Sequence, residues 1–330
     1  MFSQRLLTQT TLVSLASLAA SQSAIQFDGR VPAGTQLSAF DSENGLFNPD
    51  NVFGKNLTFS QLLQLPDVAP SLFDVGTVPL EVTVSDESIF APSADNVQLG
   101  FRRAELLPAS NNGTDASTLG VKSLHFSLMK DAARPLNLSH EYQLVFVESS
   151  DFSTNQFVLK TGTLLDTATQ GGVDPDSLIL FGNVKQSQIL FNTAFTEGVF
   201  HNFGLTLDFD ANTTQVFYST GNDPLAQVTE PLPNDISGQG QYHFGVLKKG
   251  VNGGDDITKD GQQPAGIDEG IIYGGIFQED SAASSITLSP QAATNATAAA
   301  AAAATNASTP CTQKRSVGRI ARRLHYAHKA

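Results

Sequence analysis

Short segments in which hydrophobic and polar residues alternate recur along the middle of the chain, separated by turns rich in Gly, Asn, Asp and Pro. A period of two is the pattern of a half-buried β-strand. The clearest unit covers residues 200–219, where Phe203, Leu205 and Leu207 alternate before the turn at residues 210–212. The pattern predicts strands near residues 80–84, 97–107, 121–130, 141–148, 156–165, 177–182, 188–193, 199–209, 214–219, 241–249 and 270–278.

Helical periodicity is confined to one short stretch near residues 60–65. A chain with about eleven strands and almost no helix must bury the apolar face of one sheet against another. The pattern therefore predicts an all-β fold, a two-sheet antiparallel sandwich or jelly roll.

The composition divides the chain into four parts. Residues 1–23 contain Arg5, an interrupted apolar stretch and a run of small residues, which is typical of a secretory signal peptide and too short for a membrane span. Residues 24–290 have mixed composition and are interpreted as one domain. Residues 291–310 form an Ala/Thr/Asn-rich linker, and residues 311–330 form a basic tail that we expect to be disordered.

The protein is strongly acidic, and its charged residues are unevenly distributed along the sequence. The 330 residues carry a formal net charge of −13, although the tail contributes six basic residues and no acidic one. This balance argues against a nucleic-acid partner, because phosphates require clustered Lys and Arg. For the tail, attachment to an anionic surface or processing after Lys314-Arg315 is the functional alternative to a disordered end.

Two signals indicate an extracellular protein. The leader is followed by Asn-x-Ser/Thr sequons, and Cys311 is the single cysteine, which excludes an intramolecular disulfide. We expect a secreted, monomeric glycoprotein whose domain carries N-glycans at Asn56, Asn112, Asn137 and Asn212.

The familiar catalytic motifs are missing from the sequence. It contains no G-x-S-x-G elbow, no phosphate-binding G-x-x-x-x-G-K-S/T loop, no H-E-x-x-H and no C-x-x-C. We therefore expect neither a cofactor nor a metal ion. The remaining candidates for chemistry are carboxylates and histidines on the predicted strands.

The segment FRRAEL places an arginine and a glutamate two residues apart on one strand. Side chains alternate across a sheet, so Arg103 and Glu105 share one face. In that position Arg103 can orient the carboxylate and lower its pKa. The alternative is a surface ion pair without function.

The segment HEYQLVFVES offers two further acids. Strict alternation places Tyr142, Phe146 and Glu148 on one face and Glu141 on the other. A carboxylate at the end of an aromatic row suits a sugar site, where rings stack on the sugar and the acid reaches the glycosidic oxygen. The alternatives are a solvated strand end for Glu148 and a satisfied polar residue near a turn for Glu141.

Two histidines lie on faces that favour contact with a ligand. His243 shares its face with Gly245, and a glycine beside a histidine leaves room for a ligand against the sheet. His125 lies with Ser123 and Ser127 on a polar face, which fits either solvent or a cleft.

Several long segments closely resemble glycoside hydrolase family 131, which comprises secreted fungal β-glucanases. They are FDGRVPAGT, NVQLGFRRAELLPASNNGTD, KDAARPLNLSHEYQLVFVES, NQFVLKTGTL, NDISGQGQYHFGVLKK and GIDEGIIYGGIF, and together they span essentially residues 25–290. The resemblance implies a β-jelly roll with an open substrate cleft across one sheet. It also implies broad action on β-1,3-, β-1,6- and β-1,4-linked glucans.

The resemblance also implies a set of site residues. The family's Arg-x-Glu pair falls on Arg103 and Glu105, and its histidine falls on His243. Its second glutamate falls on Glu148, at the strand end before a loop and another apolar strand, with Glu141 as second choice.

The resemblance raises a question about sugar stacking. This chain has no Trp, whereas such clefts are expected to stack sugars on Trp side chains. Tyr142, Phe146 or Phe200 would have to take that role, and His125 is a further candidate for substrate binding.

The sequence therefore predicts a hydrolase in which two carboxylates, Glu105 and Glu148, flank the scissile bond of a β-glucan. Their separation would decide between retention, at about 5–5.5 Å, and inversion, at about 6.5–9.5 Å. Two other classes stay open: a polysaccharide lyase on the same fold, which would form an ultraviolet-absorbing double bond, and a non-catalytic glucan-binding module, which would release no reducing ends.

Overall fold

A computed structural model describes residues 24–50, 53–54, 56–165, 172–281 and 286–290. Contacts divide the chain into two units, Met1–Pro290 and Gln291–Ala330. The predicted leader, linker and basic tail lie outside the described residues.

Strands dominate the described residues. They are β1 (Ile25–Asp28), β2 (Val31–Pro32), β3 (Leu63–Gln64), β4 (Thr77–Val78), β5 (Leu80–Ser85), β6 (Phe101–Leu106), β7 (Val121–Lys130), β8 (Glu141–Ser149), β9 (Asn155–Gly162), β10 (Ser177–Phe181), β11 (Ile189–Ala194), β12 (His201–Asp208), β13 (Thr213–Thr220), β14 (Ala226–Gln227), β15 (Leu232–Pro233), β16 (Gly240–Lys249) and β17 (Asp268–Asp280). The helices are single turns: α1 (Phe59–Leu62), α2 (Ile257–Asp260) and the 3₁₀ turns Leu37–Asp41 and Ala116–Thr118. None of the described helices is long or apolar enough to span a bilayer.

Two antiparallel sheets form the sandwich. The larger sheet has the order β14-β13-β12-β7-β17-β5-β3, with β1 beside β17 and β15 beside β13. The smaller sheet has the order β11-β10-β9-β8-β16-β6, and β2 pairs with β4 separately. The apolar faces of the two sheets meet in the core, where the Phe126 ring of β7 contacts the Phe244 ring of β16 edge-on at 6.1 Å between centroids.

The alternation pattern predicted every long strand. The largest boundary difference is in β6, which begins at Phe101 because residues 97–100 form a loop. The helix predicted near residues 60–65 is the single turn α1, which has a Thr58/Gln61 capping box. Strands of only two residues were not predicted, because two residues are too few to show a period.

A β-bulge in β8 overturns the strict alternation assumed for that strand. The register to β9 shifts between Gln143 and Val145, so that Leu144 is an extra residue. Tyr142 and Val145 consequently both belong to the core. Phe146 belongs to a separate cluster outside that core, so its face is the one opposite to that of Tyr142.

Tyr273 of β17 crosses the core and reaches these irregular positions. Its hydroxyl lies 2.9 Å from the carbonyl oxygen of Leu144 and 2.7 Å from that of Gly245, in β16. The β8–β16 register shifts at the same height, between Phe244 and Leu247. The single proton of the Tyr273 hydroxyl is therefore shared between carbonyl groups at the irregular positions of both strands, and burial raises the pKa of this hydroxyl well above its ordinary value.

We expect Tyr273→Phe to lower the free energy of unfolding by about 1–3 kcal/mol, because it leaves buried carbonyl groups without this donor. Urea unfolding monitored by circular dichroism measures the change. Tyr218→Phe is the matched control, because Tyr218 is only partly buried and its hydroxyl bonds to His201 on the neighbouring strand of the same sheet, without crossing the core. An equal loss in the two variants would contradict the special role of Tyr273.

Candidate active site

Arg103 and Glu105 of β6 form a bidentate ion pair on the outer face of the smaller sheet. Arg103 Nε donates to Glu105 Oε1 at 2.7 Å, and Nη2 donates to Oε2 at 2.8 Å. Ala104 between them is buried in the core, as the alternation predicts. Two residues that the sequence did not single out support Arg103: Gln98 Oε1 accepts a hydrogen bond from Nη1, and the Phe90 ring lies 5.4 Å from its Cζ. Both precede the strand as the structure has it.

His243 of β16 joins this pair to a second carboxylate. Its Nδ1 lies 2.7 Å from Glu105 Oε2, and its Nε2 lies 3.7 Å from Glu148 Oε2. An ionised carboxylate only accepts hydrogen bonds, so Nδ1 donates to Glu105, and Nε2 points towards Glu148. Nε2 has no hydrogen-bond partner among the described residues. The four side chains thus form a chain from Arg103 through Glu105 and His243 to Glu148.

The sheet register brings these residues together. On neighbouring strands His243 lies opposite Phe146, and Gly245 lies opposite Glu105. The Phe146 ring stacks on the His243 imidazole with centroids 4.3 Å apart and planes 12° apart. Phe146 is itself buried, so in this structure it supports the histidine and offers no face to a sugar.

Gly245 serves strand packing. A Cβ at this position would lie 2.1 Å from the carbonyl oxygen of Ala104 on β6. The expectation that Gly245 leaves room for a ligand is therefore wrong, because β6 occupies that space. His243 faces outward as expected, but for a different reason: Tyr242 and Phe244 on either side of it belong to the core.

The four side chains differ in access to solvent. Glu148 is 31% exposed and Arg103 12%, whereas Glu105 and His243 are buried. Burial alone would raise the pKa of Glu105, but the Arg103 charge and the His243 hydrogen bond hold it below its ordinary value. Glu105 is thus a buried anion whose two oxygens are already bonded. This differs from the expected arrangement in which Glu105 and Glu148 both face the scissile bond.

Glu141, the second choice for the other carboxylate, lies in a separate ion cluster. Its Oε1 is 3.0 Å from Lys160 Nζ and 2.7 Å from Lys249 Nζ, and the backbone N–H of Leu165 donates to its Oε2. Burial favours the protonated form, but the two lysines outweigh it and lower the pKa of Glu141 to about 2. Such a buried and fully engaged carboxylate is a structural anion.

Two residues expected to bind substrate are buried elsewhere, so these expectations are wrong. Because of the bulge, Tyr142 points into the core, and its hydroxyl donates to Glu269 at 2.7 Å. His125 belongs to β7 of the larger sheet, where its Nε2 lies 2.8 Å from Glu279 and its ring stacks on Phe277. The polar face inferred for His125 is covered by these neighbours.

The predicted glycosylation sites differ in accessibility. Asn56, Asn112 and Asn137 are exposed, whereas Asn212 is partly buried and has a φ of 51° in the β12–β13 turn. Asn295 and Asn306 lie outside the described residues.

A cavity of about 650 Å³ lies on the larger sheet, away from Glu105, His243 and Glu148. Its lining includes Met129, Phe200 and Ile272, so Phe200 is not part of the candidate site either. The cavity holds no counterpart of the carboxylate–histidine chain, and that chain is therefore the better candidate for catalysis. Among the described residues, no group of three or more His, Cys, Asp or Glu is arranged to hold a metal ion.

Residues 25–284 match the family described as "Glycoside hydrolase 131 catalytic N-terminal domain". The chain is similar in fold to the GH131 β-glucanase catalytic domain from Podospora anserina, with 23% identity and a TM-score of 0.61 over 81% of this chain and 98% of that one. It is also similar to the glycoside hydrolase family 131 catalytic domain from Coprinopsis cinerea, with 22% identity and a TM-score of 0.58 over 80% of this chain and 97% of that one. No curated protein matches the chain.

We expect Glu141→Gln to destabilise the protein at pH 7 by about 3 kcal/mol, the value of a pKa lowered from 4.5 to about 2. A carboxyl group whose pKa is lower in the folded than in the unfolded protein stabilises the fold at pH values above the unfolded-state pKa. This contribution is lost as the pH falls from about 4.5 to about 2. The stability difference between wild type and variant should shrink over that range. Urea unfolding at several pH values measures it, and a constant difference would contradict the assignment.

Proposed function

Because the chain belongs to glycoside hydrolase family 131, we propose that this glycoside hydrolase cleaves β-glucans and that Glu148 acts at the glycosidic oxygen. The observation that carries the assignment is the chain of four side chains, of which Glu148 has the greatest exposure and faces an unpaired His243 nitrogen. The Podospora relative is a β-glucanase by its description, which supports the substrate class. No cofactor enters this proposal.

In the proposed mechanism the exposed residue Glu148 transfers protons to and from the substrate, and the buried residues act through His243. Glu148 gives its proton to the glycosidic oxygen as the bond between that oxygen and the anomeric carbon breaks, and it regains a proton from the water molecule whose oxygen bonds to that carbon. His243 Nε2 accepts or returns the proton of Glu148, and the 3.7 Å between them leaves this exchange to a small closure or a bridging water.

Glu105 acts through His243 in this proposal. It fixes the tautomer of the imidazole through Nδ1, much as a buried aspartate orients the histidine of a catalytic triad. Arg103 balances its charge, so that the buried carboxylate stays ionised. Glu105 is therefore a positioning residue, and the sequence-based pair of flanking carboxylates is replaced by Glu148 with His243.

We further propose that the enzyme is secreted, monomeric and active on β-1,3-, β-1,6- and β-1,4-linked glucans. The family resemblance supports the range of linkages. The leader-like start of the sequence and the exposed sequon residues Asn56, Asn112 and Asn137 support secretion with N-glycosylation.

The release of reducing ends from soluble β-1,3-, β-1,6- and β-1,4-glucans tests the proposal. We expect Glu148→Gln to lower kcat by about 10²–10⁴-fold, the range for losing a general acid–base group. Glu141→Gln, the same change on the same strand, is the control and should retain kcat once its lower stability is allowed for.

Three outcomes would contradict parts of this proposal. Equal losses in the two variants would remove Glu148 from its assigned role. An ultraviolet-absorbing double bond in the product would identify a lyase. Binding of glucan by folded wild type without release of reducing ends would identify a binding module.

We expect Glu105→Gln to lower kcat by about 10²–10⁴-fold with little change in KM, because in this proposal the substrate does not touch Glu105. The neutral amide can accept from or donate to Nδ1, so the tautomer of His243 is no longer fixed. Imidazole ¹⁵N chemical shifts report the tautomer directly. An unchanged His243 spectrum together with a large loss of kcat would contradict the positioning role.

A further inference from the structure

The aromatic side chains expected to stack on sugars are all buried. Tyr142, Phe146 and Phe200 have almost no accessible surface, and the sequence has no Trp. Among the described residues, Phe152 is the one aromatic residue in the exposed class, with 72% of its surface accessible. It lies in the loop that follows β8, four residues after Glu148.

The backbone at Phe152 has an unusual conformation. Its φ is 58°, in the left-handed region that bulky residues rarely adopt and that costs about 1–3 kcal/mol. Neither burial nor ring packing offsets that cost, because the side chain points into solvent. Backbone strain of this kind is found at binding and catalytic sites, where it presents a side chain in a fixed direction.

The turn around Phe152 is closed by hydrogen bonds. Phe152 N–H donates to the carbonyl of Ser149 at 2.8 Å, and Ser149 N–H donates to that of Thr154 at 2.9 Å. Asp151 Oδ1 accepts from Ser149 Oγ and from Ser153 N–H, and these bonds lower the pKa of Asp151 to about 2. The backbone that carries the ring is thus held in a hydrogen-bonded turn.

A second loop, which contains Val184 and Lys185, is hydrogen-bonded to the residues that follow Phe152. Val184, also exposed, donates its N–H to the carbonyl of Asn155 at 3.0 Å. Lys185 Nζ lies 3.1 Å from Ser153 Oγ and so brings a hydrogen-bond donor to the residue that follows Phe152. An exposed ring with apolar and polar groups around it matches the surface of a sugar, which has an apolar face and a rim of hydroxyl groups.

We propose that Phe152 is a sugar-stacking platform that binds one glucosyl unit of a β-glucan next to the unit on which Glu148 acts. Four residues of chain span at most about 14 Å, so the Cα atoms of Phe152 and Glu148 lie within that distance. The inference rests on the proposed function for its choice of a glucan as ligand. It adds a binding subsite to that function and assigns a role to the strained turn.

Equilibrium binding to a soluble β-1,3/1,6-glucan and to a soluble β-1,4-glucan, by affinity electrophoresis, tests the subsite. All variants carry Glu148→Gln, so that the polymer stays intact. We expect Phe152→Ala and Phe152→Gly to raise Kd about tenfold for at least one of the glucans, and Phe152→Trp to retain or improve binding. Glycine adopts a positive φ without strain, so agreement between the Ala and Gly variants assigns the loss to the ring.

Val75→Ala is the matched control, because Val75 is an apolar residue with 62% of its surface accessible, located just before β4. Its Kd should equal that of the parent. Equal Kd values for Phe152→Ala and the parent, or no binding of either glucan by the folded parent, would overturn the subsite. Failure of wild type to release reducing ends, with binding still dependent on Phe152, would overturn hydrolysis and leave the subsite standing.

Discussion

The hydroxyl of Tyr273 reaches across the core from the larger sheet to the bulged strands of the smaller one, and the geometry of the candidate site depends on that contact. The extra residue in β8 breaks the regular ladder to β9, and an extra residue in β16 shifts the ladder between β8 and β16 at the same height, beside the buried carbonyl groups of Leu144 and Gly245. A buried carbonyl needs a donor, and the tyrosine hydroxyl provides one at both strands. With the bulge held in place, Phe146 and Glu148 face outward beside His243 while Tyr142 faces the core.

The outer face of the smaller sheet shows how a β-sandwich keeps charge close to its core. Glu105 is buried as an anion because Arg103 and His243 satisfy both of its oxygens. Glu141 is buried as an anion because two lysines surround it. The two clusters differ in what lies beyond these partners. The network around Glu141 ends at the lysines, whereas the other ring nitrogen of His243 faces the exposed Glu148. The same residue type is therefore buried in an ion cluster at one end of β8 and partly exposed beside His243 at the other.

The fold and part of the site could be predicted from short-range pattern. Alternation predicted the strands, since each long strand has one face in the core, and it placed Arg103 beside Glu105 because no irregularity interrupts β6. The same rule was wrong for Tyr142, since it assumes an unbroken period of two and the bulge at Leu144 adds one residue. It was uninformative for His125, because a polar face in the sequence does not reveal that Phe277 and Glu279 cover it.

The sequence by itself determined the class of fold, the family and the residue types available for chemistry, because these follow from local periodicity and from long matching segments. Only the tertiary structure decided which carboxylate is buried and which reaches solvent, because burial depends on neighbours that are distant in sequence, such as His243 for Glu105 and Lys249 for Glu141. The tertiary structure also decided which aromatic ring is exposed to solvent. Phe152 has no distinguishing mark in the sequence, and its exposure and positive φ arise from the turn that follows β8.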